Sequence, residues 1–170
     1  TGVTTIEASA ISAHMIENVA HPTTLVYLSG FSYNPISTIS IPGSVTTIGD
    51  SAFSGCELAT LTIPNGVTSI GSYAFRGNYL ETLSIPASLR TIEESAFSDN
   101  SITSINIPGT VLTIEDSAFA DNGITNLVLN SGTINLSGFD FNNLTSINIP
   151  TTVTNIGFSA FANNSLTSVT

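Results

Sequence analysis

The stretch Ile41-Pro42-Gly43-Ser44-Val45-Thr46-Thr47-Ile48-Gly49-Asp50-Ser51-Ala52-Phe53-Ser54-Gly55-Cys56-Glu57-Leu58-Ala59-Thr60-Leu61-Thr62-Ile63-Pro64 decides the fold, because the chain repeats it. Its aromatic position runs through the whole sequence as Ile11, Phe31, Phe53, Phe75, Phe97, Phe119, Phe139 and Phe161, at intervals of 20, 22, 22, 22, 22, 20 and 22 residues. A period of this size marks a solenoid, in which one repeat cannot bury its own apolar side and must stack on its neighbours. The expected architecture is mainly β. One solenoid domain spans residues 1–170, with about eight turns of 20–22 residues, two short parallel strands per turn and little helix.

Within a turn, Leu58, Leu61 and Ile63 recur as Leu80, Leu83, Ile85, as Ile102, Ile105, Ile107 and as Leu144, Ile147, Ile149. The last two of each set are two residues apart, as a strand with one inward face requires. Each set ends on a proline, and Pro42, Pro64, Pro86, Pro108 and Pro150 therefore mark corners, since proline has no N–H for a paired interior position. Val45-Thr46-Thr47-Ile48 and its copies from Val67, Leu89, Val111 and Val153 read as the second strand. The Ser-Ala-Phe segments after it are too short for an α-helix and read as turns or 3₁₀ pieces. Two turns are two residues shorter. The spacing places both deletions at the corner after the first strand, in Pro22 to Val26 and Asn130 to Ile134.

The strings Ile48-Gly49-Asp50-Ser51-Ala52-Phe53-Ser54-Gly55-Cys56, Ile70-Gly71-Ser72-Tyr73-Ala74-Phe75 and Leu144-Thr145-Ser146-Ile147-Asn148-Ile149-Pro150 closely resemble the BspA-like leucine-rich repeat family. The likeness covers nearly the whole chain. It implies a leucine-rich-repeat solenoid, a secreted protein at the cell surface or outside the cell, and adhesion through binding of a host or matrix protein or glycan. Ile11 in place of Phe, His21 in place of the strand Ile, and a corner at Asn130 without proline depart from the pattern.

The composition narrows the partners further. There are two basic residues, Arg76 and Arg90, against twelve acidic ones, for a net charge of −10. Such a chain repels phosphate backbones and anionic lipid surfaces, so neither nucleic acid nor membrane insertion is expected. No apolar run reaches the length of a membrane span. One cysteine permits no internal disulfide. No G-x-S-x-G, H-E-x-x-H, Walker or Rossmann string is present, and the chain is not expected to be an enzyme.

Three positions after the aromatic stand His14, Asn34, Cys56, Asn78, Asn100, Asn122, Asn142 and Asn164, an expected structural ladder that satisfies backbone groups at a corner, each amide bonding its neighbours along the axis. Cys56 and His14 read as substitutions in that ladder, and His14 with His21 lacks the spacing of a metal site. Glu93, Glu94, Glu115 and Asp116 fall on adjacent coils and read by default as a solvated acidic face, with a Ca²⁺ site as the alternative; no other cofactor is expected. Tyr33, Tyr79 and Phe141 lie outside the core columns, and exposed aromatics there stack on sugars or anchor a protein partner, or else pack over the corner. Two outward rows, Ser40, Thr62, Ser84, Asn106, Val128, Asn148, Thr170 and Thr5, Thr47, Ser69, Thr91, Thr113, Asn155, suggest a further alternative, binding to ice or a crystalline polysaccharide.

No capping turn is evident, and the first and last turns are in phase with interior ones. A second copy placed after Thr170 continues the 20-residue interval from Phe161 to its own Ile11. Val3, Ile6, Ile11, Phe161, Leu166 and Val169 would then be assembly contacts. They meet either neighbouring repeats of a longer array or further copies stacked head to tail into a self-assembling extracellular filament or surface array.

Overall fold

The computed structural model describes residues 2–17, 19–20 and 22–170. The strands in chain order are β1 (Thr5–Ile6), β2 (Tyr27–Leu28), β3 (Thr47–Ile48), β4 (Ser69–Ile70), β5 (Thr91–Ile92), β6 (Ser104–Ile107), β7 (Thr113–Ile114), β8 (Asn126–Leu129), β9 (Asn135–Leu136), β10 (Ser146–Ile147), β11 (Asn155–Ile156) and β12 (Ser168–Val169). All pairing is parallel, and the described residues contain no helix.

The second strand of the repeat builds a stack along the molecule, β1-β2-β3-β4 and then β5-β7-β9-β11, one strand per coil. The first strand pairs only in the later coils, β6 with β8 and β10 with β12. The segments 39–41, 61–63 and 83–85 keep the inward pattern, with Ile41, Ile63 and Ile85 buried, but are not strands. Two strands in every turn is therefore too many for the N-terminal half. The longest pair, β6 with β8, has a chemical reason. Asn130 stands where other coils carry proline, and its N–H donates to the Ile107 carbonyl (3.2 Å), a bond proline cannot make. Its side-chain amide adds bonds to Asn106 Oδ1 (2.7 Å) and to the same carbonyl (2.9 Å).

Seven Phe rings form the spine. Neighbours from Phe31 to Phe161 are stacked with centroids 5.2 to 5.8 Å apart and planes within 11° of parallel. Offset stacking of this kind adds to the burial of the rings themselves. The aliphatic columns close around them, from Leu25 and Leu28 to Leu144 and Ile147.

The Asn ladder satisfies backbone groups at the corner, as its spacing predicts, and each amide reaches the preceding coil. Asn122 Nδ2 donates to the carbonyls of Phe97 (3.0 Å), Phe119 (3.1 Å) and Ala120 (3.1 Å), and its Oδ1 accepts from Ile102 N–H (3.0 Å). Asn78, Asn100, Asn142 and Asn164 repeat the pattern, each riveting its coil to the one before. Asn122→Ala strands these groups at a corner, where a buried unpaired group costs about 1–3 kcal/mol. A loss of about 2–3 kcal/mol in urea unfolding is expected, with the slope against urea unchanged. Cys56 replaces only part of an Asn. Its Sγ reaches the Phe31 carbonyl (3.3 Å), and Ile36 N–H turns instead to the Asn34 carbonyl (2.8 Å). Burial raises the thiol's pKa, so it stays protonated and a poor nucleophile.

The short coils are built differently from the spacing-based expectation. Leu28, not Val26, pairs with Ile48, and Asn135 pairs with Asn155 and Leu136 with Ile156. Leu25, Leu28 and Leu136 are fully buried, whereas Val26 and Ile134 are exposed. The corner after the first strand therefore keeps its length. The missing pair lies after the second strand, where Leu28-Ser29-Gly30-Phe31 and Leu136-Ser137-Gly138-Phe139 replace Ile48-Gly49-Asp50-Ser51-Ala52-Phe53. Full-length coils pass this stretch with one left-handed residue, such as Ser51 (φ 52°), Ser95 (φ 52°) or Ser117 (φ 54°). In the short coils the left-handed residue is the glycine itself, Gly30 (φ 86°) or Gly138 (φ 83°), pressed against the carbonyls of Glu7 and Glu115.

Candidate functional site

The turn from Phe to Asn also needs a left-handed residue two places after the aromatic, and every coil has one. The column reads Ala13, Tyr33, Gly55, Gly77, Asp99, Asp121, Phe141 and Asn163, with φ between 51° and 67°. This conformation favours glycine and is a steric outlier for a bulky side chain. Because the backbone turns inward to deliver Asn, the side chain before it is thrown outward. The column is thus a ridge along the solenoid.

Tyr33 and Phe141 sit on this one ridge, 67% and 52% exposed, five coils apart or about 24 Å at the usual strand spacing. The Tyr33 ring lies over Gly55, where a Cβ would come within 2.6 Å of Tyr33 Cδ1. Between the two aromatics, Arg76 Nε donates to Asp99 Oδ2 (2.7 Å), and the Arg76 guanidinium lies 5.9 Å from the Tyr73 ring centroid. Tyr33, Ser54, Gly55, Arg76, Gly77 and Asp99 enclose a shallow cavity of about 300 Å³. Tyr79 is also exposed, but it belongs to the neighbouring row with Pro35 and Glu57, directly after the ladder residue. The three aromatics therefore do not form one cluster.

The acidic residues expected on adjacent coils approach in pairs, Glu93 with Glu115 and Glu115 with Asp116, but do not meet as one cluster of four. Glu94 accepts from the Tyr73 hydroxyl, and Asp116 Oδ1 from Ser137 Oγ (2.6 Å). Among the described residues no group of three or more His, Cys, Asp or Glu is placed to hold a metal ion. His14 is exposed, and its backbone N–H donates to Asn34 Oδ1 (3.1 Å); His21 lies outside the described residues. Burial, then Glu115 and Asp50, raise the pKa of Glu93. Burial, then Asp99 and Asp140, raise that of Asp121 against the opposing pull of Arg76. A carboxyl with a raised folded pKa binds protons more readily folded than unfolded, so its contribution to stability is present at low pH and lost as pH rises through the raised value. The melting temperature is therefore expected to rise as pH falls from 7 into the ordinary carboxylate range at about pH 4, and the double substitution Glu93→Gln, Asp121→Asn should flatten that slope. Differential scanning calorimetry across this range checks both.

Of the residues expected at the ends, Ile6, Ile11, Phe161 and Leu166 are partly buried against the core, while Val3 and Val169 are exposed. The second polar row is interrupted by Tyr27 and Asn135, which the strand register places in it, so it is not an unbroken threonine lattice. Phe158 is 90% exposed, where other coils carry Asp50, Glu94 or Asp116. The sequence reading missed it, although an aromatic in a polar column was the available signal. No helix among the described residues is long and apolar enough to cross a membrane.

Stacked parallel coils, an aromatic spine and a side-chain ladder at one corner define a leucine-rich-repeat solenoid. The family model of the BspA type leucine-rich repeat region matches six copies over residues 24–137 and 132–170, and the chain belongs to this family. Among solved structures it is similar to a leucine-rich repeat protein of Eubacterium ventriosum, at 26% identity and TM-score 0.64, over 96% of this chain and 47% of that one. It is also similar to a leucine-rich cell surface protein of Faecalibacterium prausnitzii, at 25% identity and TM-score 0.52, over 87% of this chain and 52% of that one. YopM of Yersinia enterocolitica shares the fold at 19% identity and TM-score 0.58, over 91% of this chain and 37% of that one. The chain thus spans about half the length of the first two. No curated protein matches it.

Proposed function

We propose that the chain is a recognition module displayed at a bacterial cell surface, binding a protein or glycan partner along the Tyr33 to Phe141 ridge without catalysis. The observation that carries this reading is the placement of two exposed aromatic rings at left-handed positions, where glycine would be less strained. Strain kept at an exposed site is commonly associated with binding. The neighbouring Arg76–Asp99 pair offers both a donor and an acceptor beside the Tyr33 ring. The surface location draws on the likeness to the Faecalibacterium protein described as a cell surface protein.

The test is the pair Tyr33→Gly and Phe141→Gly. Glycine relieves the backbone at both positions, so the melting temperature should hold or rise. Binding to arrays of extracellular matrix proteins and glycans should fall on the order of tenfold, as for loss of an aromatic anchor. Binding that survives both substitutions intact would remove the ridge as the recognition surface.

A further inference from the structure

The two short coils create the same recess, and only one of them is filled. Removing two residues after the second strand leaves a notch between the longer loops on either side. In the first short coil the notch is occupied by Tyr27, half-buried, whose hydroxyl and Cζ press on Gly49; a Cβ there would lie 2.8 Å from Cζ. The second short coil repeats the surroundings. Ser137 stands for Ser29, Gly157 for Gly49 and Glu115 for Glu7. The backbone carbonyls of Glu7 and Glu115 press on Gly30 and Gly138 in the same way. Tyr27, however, is replaced by the shorter Asn135, whose amide donates to Thr113 Oγ1 (3.3 Å) within the lining of the recess. What remains is an open cavity of about 260 Å³.

We propose that this recess binds one hydroxylated six-membered ring, a neutral or amino hexose unit of a glycan. The size follows from within the molecule, because the equivalent notch holds a phenol ring. The polarity follows from the lining, in which Glu115, Asp116, Asn135, Ser137 and Asn155 surround Gly157. Asp116 is oriented by the Ser137 hydroxyl (2.6 Å), which leaves its second oxygen and the Glu115 carboxylate to accept from vicinal sugar hydroxyls. The Asn135 and Asn155 amides both donate and accept. Phe158, the residue after the lining residue Gly157, is 90% exposed and offers an aromatic face next in sequence to the recess. Two carboxylates repel uronic and sialic acids, and a bare phenyl ring would leave the polar lining unpaired. The site lies on a different corner from the ridge and does not depend on it.

The chain supplies its own control, because Asn135→Tyr copies the residue that fills the first notch. The probe is a titration of the intact chain with methyl glycosides of glucose, galactose, mannose and N-acetylglucosamine, followed by ¹⁵N NMR of the Asn135 and Asn155 side-chain amides. At least one glycoside should shift both amides, and Asn135→Tyr should weaken binding by on the order of tenfold or more without lowering the melting temperature. Asp116→Asn, which keeps the shape, should weaken it too and serves if the tyrosine variant misfolds. Tyr33→Gly should leave the titration unchanged, which separates failure here from failure of the ridge reading. The proposal is overturned if no glycoside moves these amides at millimolar concentration, if binding persists in Asn135→Tyr and Asp116→Asn, or if calcium chloride alone moves them.

Discussion

Gly138→Ala is expected to destabilise the chain by about 3–5 kcal/mol, far more than an exposed glycine substitution. Two costs combine. The residue holds φ at 83°, outside the range an alanine adopts without strain, and its added methyl would collide with the Glu115 carbonyl and approach Ala118 N to 2.7 Å. Both partners are backbone of the preceding coil, so neither can swing aside. Relief requires the short coil to lift away from its neighbour, which would break the Phe119 N–H to Gly138 carbonyl bond (2.7 Å) and unstack Phe119 from Phe139. Gly43→Ala is the control. A methyl group added at Gly43 would meet nothing within 4 Å, and the change should be within about 1 kcal/mol of neutral. Urea unfolding of the two variants side by side measures the difference.

Phe97→Ala carries an expected cost of similar size, about 3–5 kcal/mol. The ring is fully buried between Phe75 at 5.5 Å and Phe119 at 5.6 Å, and its removal leaves a cavity that neighbouring rings cannot fill without leaving their own coils. Stacking makes the loss two-sided. Phe161→Ala should cost less than half as much, because that ring is only partly buried and has one stacking partner among the described residues. A stability scan down the column should therefore decline toward Phe161. Equal effects at Phe97 and Phe161 would contradict a spine whose strength lies in stacking on both faces.

Much of this was legible in the sequence because a solenoid writes each structural role as a column. The Phe spine, the Asn corner and the proline corners follow from residue type and interval alone. The placement of the two deletions was not legible. Val26 and Leu28 are both branched aliphatics, and a shift of two residues keeps the same face inward, so the apolar pattern fits either register. The distinguishing signal was chemical. Leu-Ser-Gly-Phe occurs at both short coils, and a glycine directly before the aromatic, where other coils carry Ala52 or Ala96, marks the left-handed shortcut.

The candidate site was read in part. Tyr33, Tyr79 and Phe141 were recognisable as residues outside the core, and spacing puts Tyr33 and Phe141 in one column with Gly55 and Gly77, but the left-handed φ that turns this column outward is a property of the structure. The acidic quartet illustrates the opposite limit. Adjacent coils bring like columns together, yet hydrogen bonds from Tyr73 and Ser137 draw Glu94 and Asp116 to separate partners. The recess beside Asn135 depends on the deletion register and was invisible without it.

The central claim is that successive coils bury one continuous stack of rings. Aromatic NOEs in a chain with labelled phenylalanine test it most directly. Ring protons of Phe97 should show cross-peaks to those of Phe75 and Phe119, its neighbours 22 residues away in either direction, and to no other phenylalanine ring. Cross-peaks that skip a coil, or their absence between these three rings in the folded chain, would contradict it.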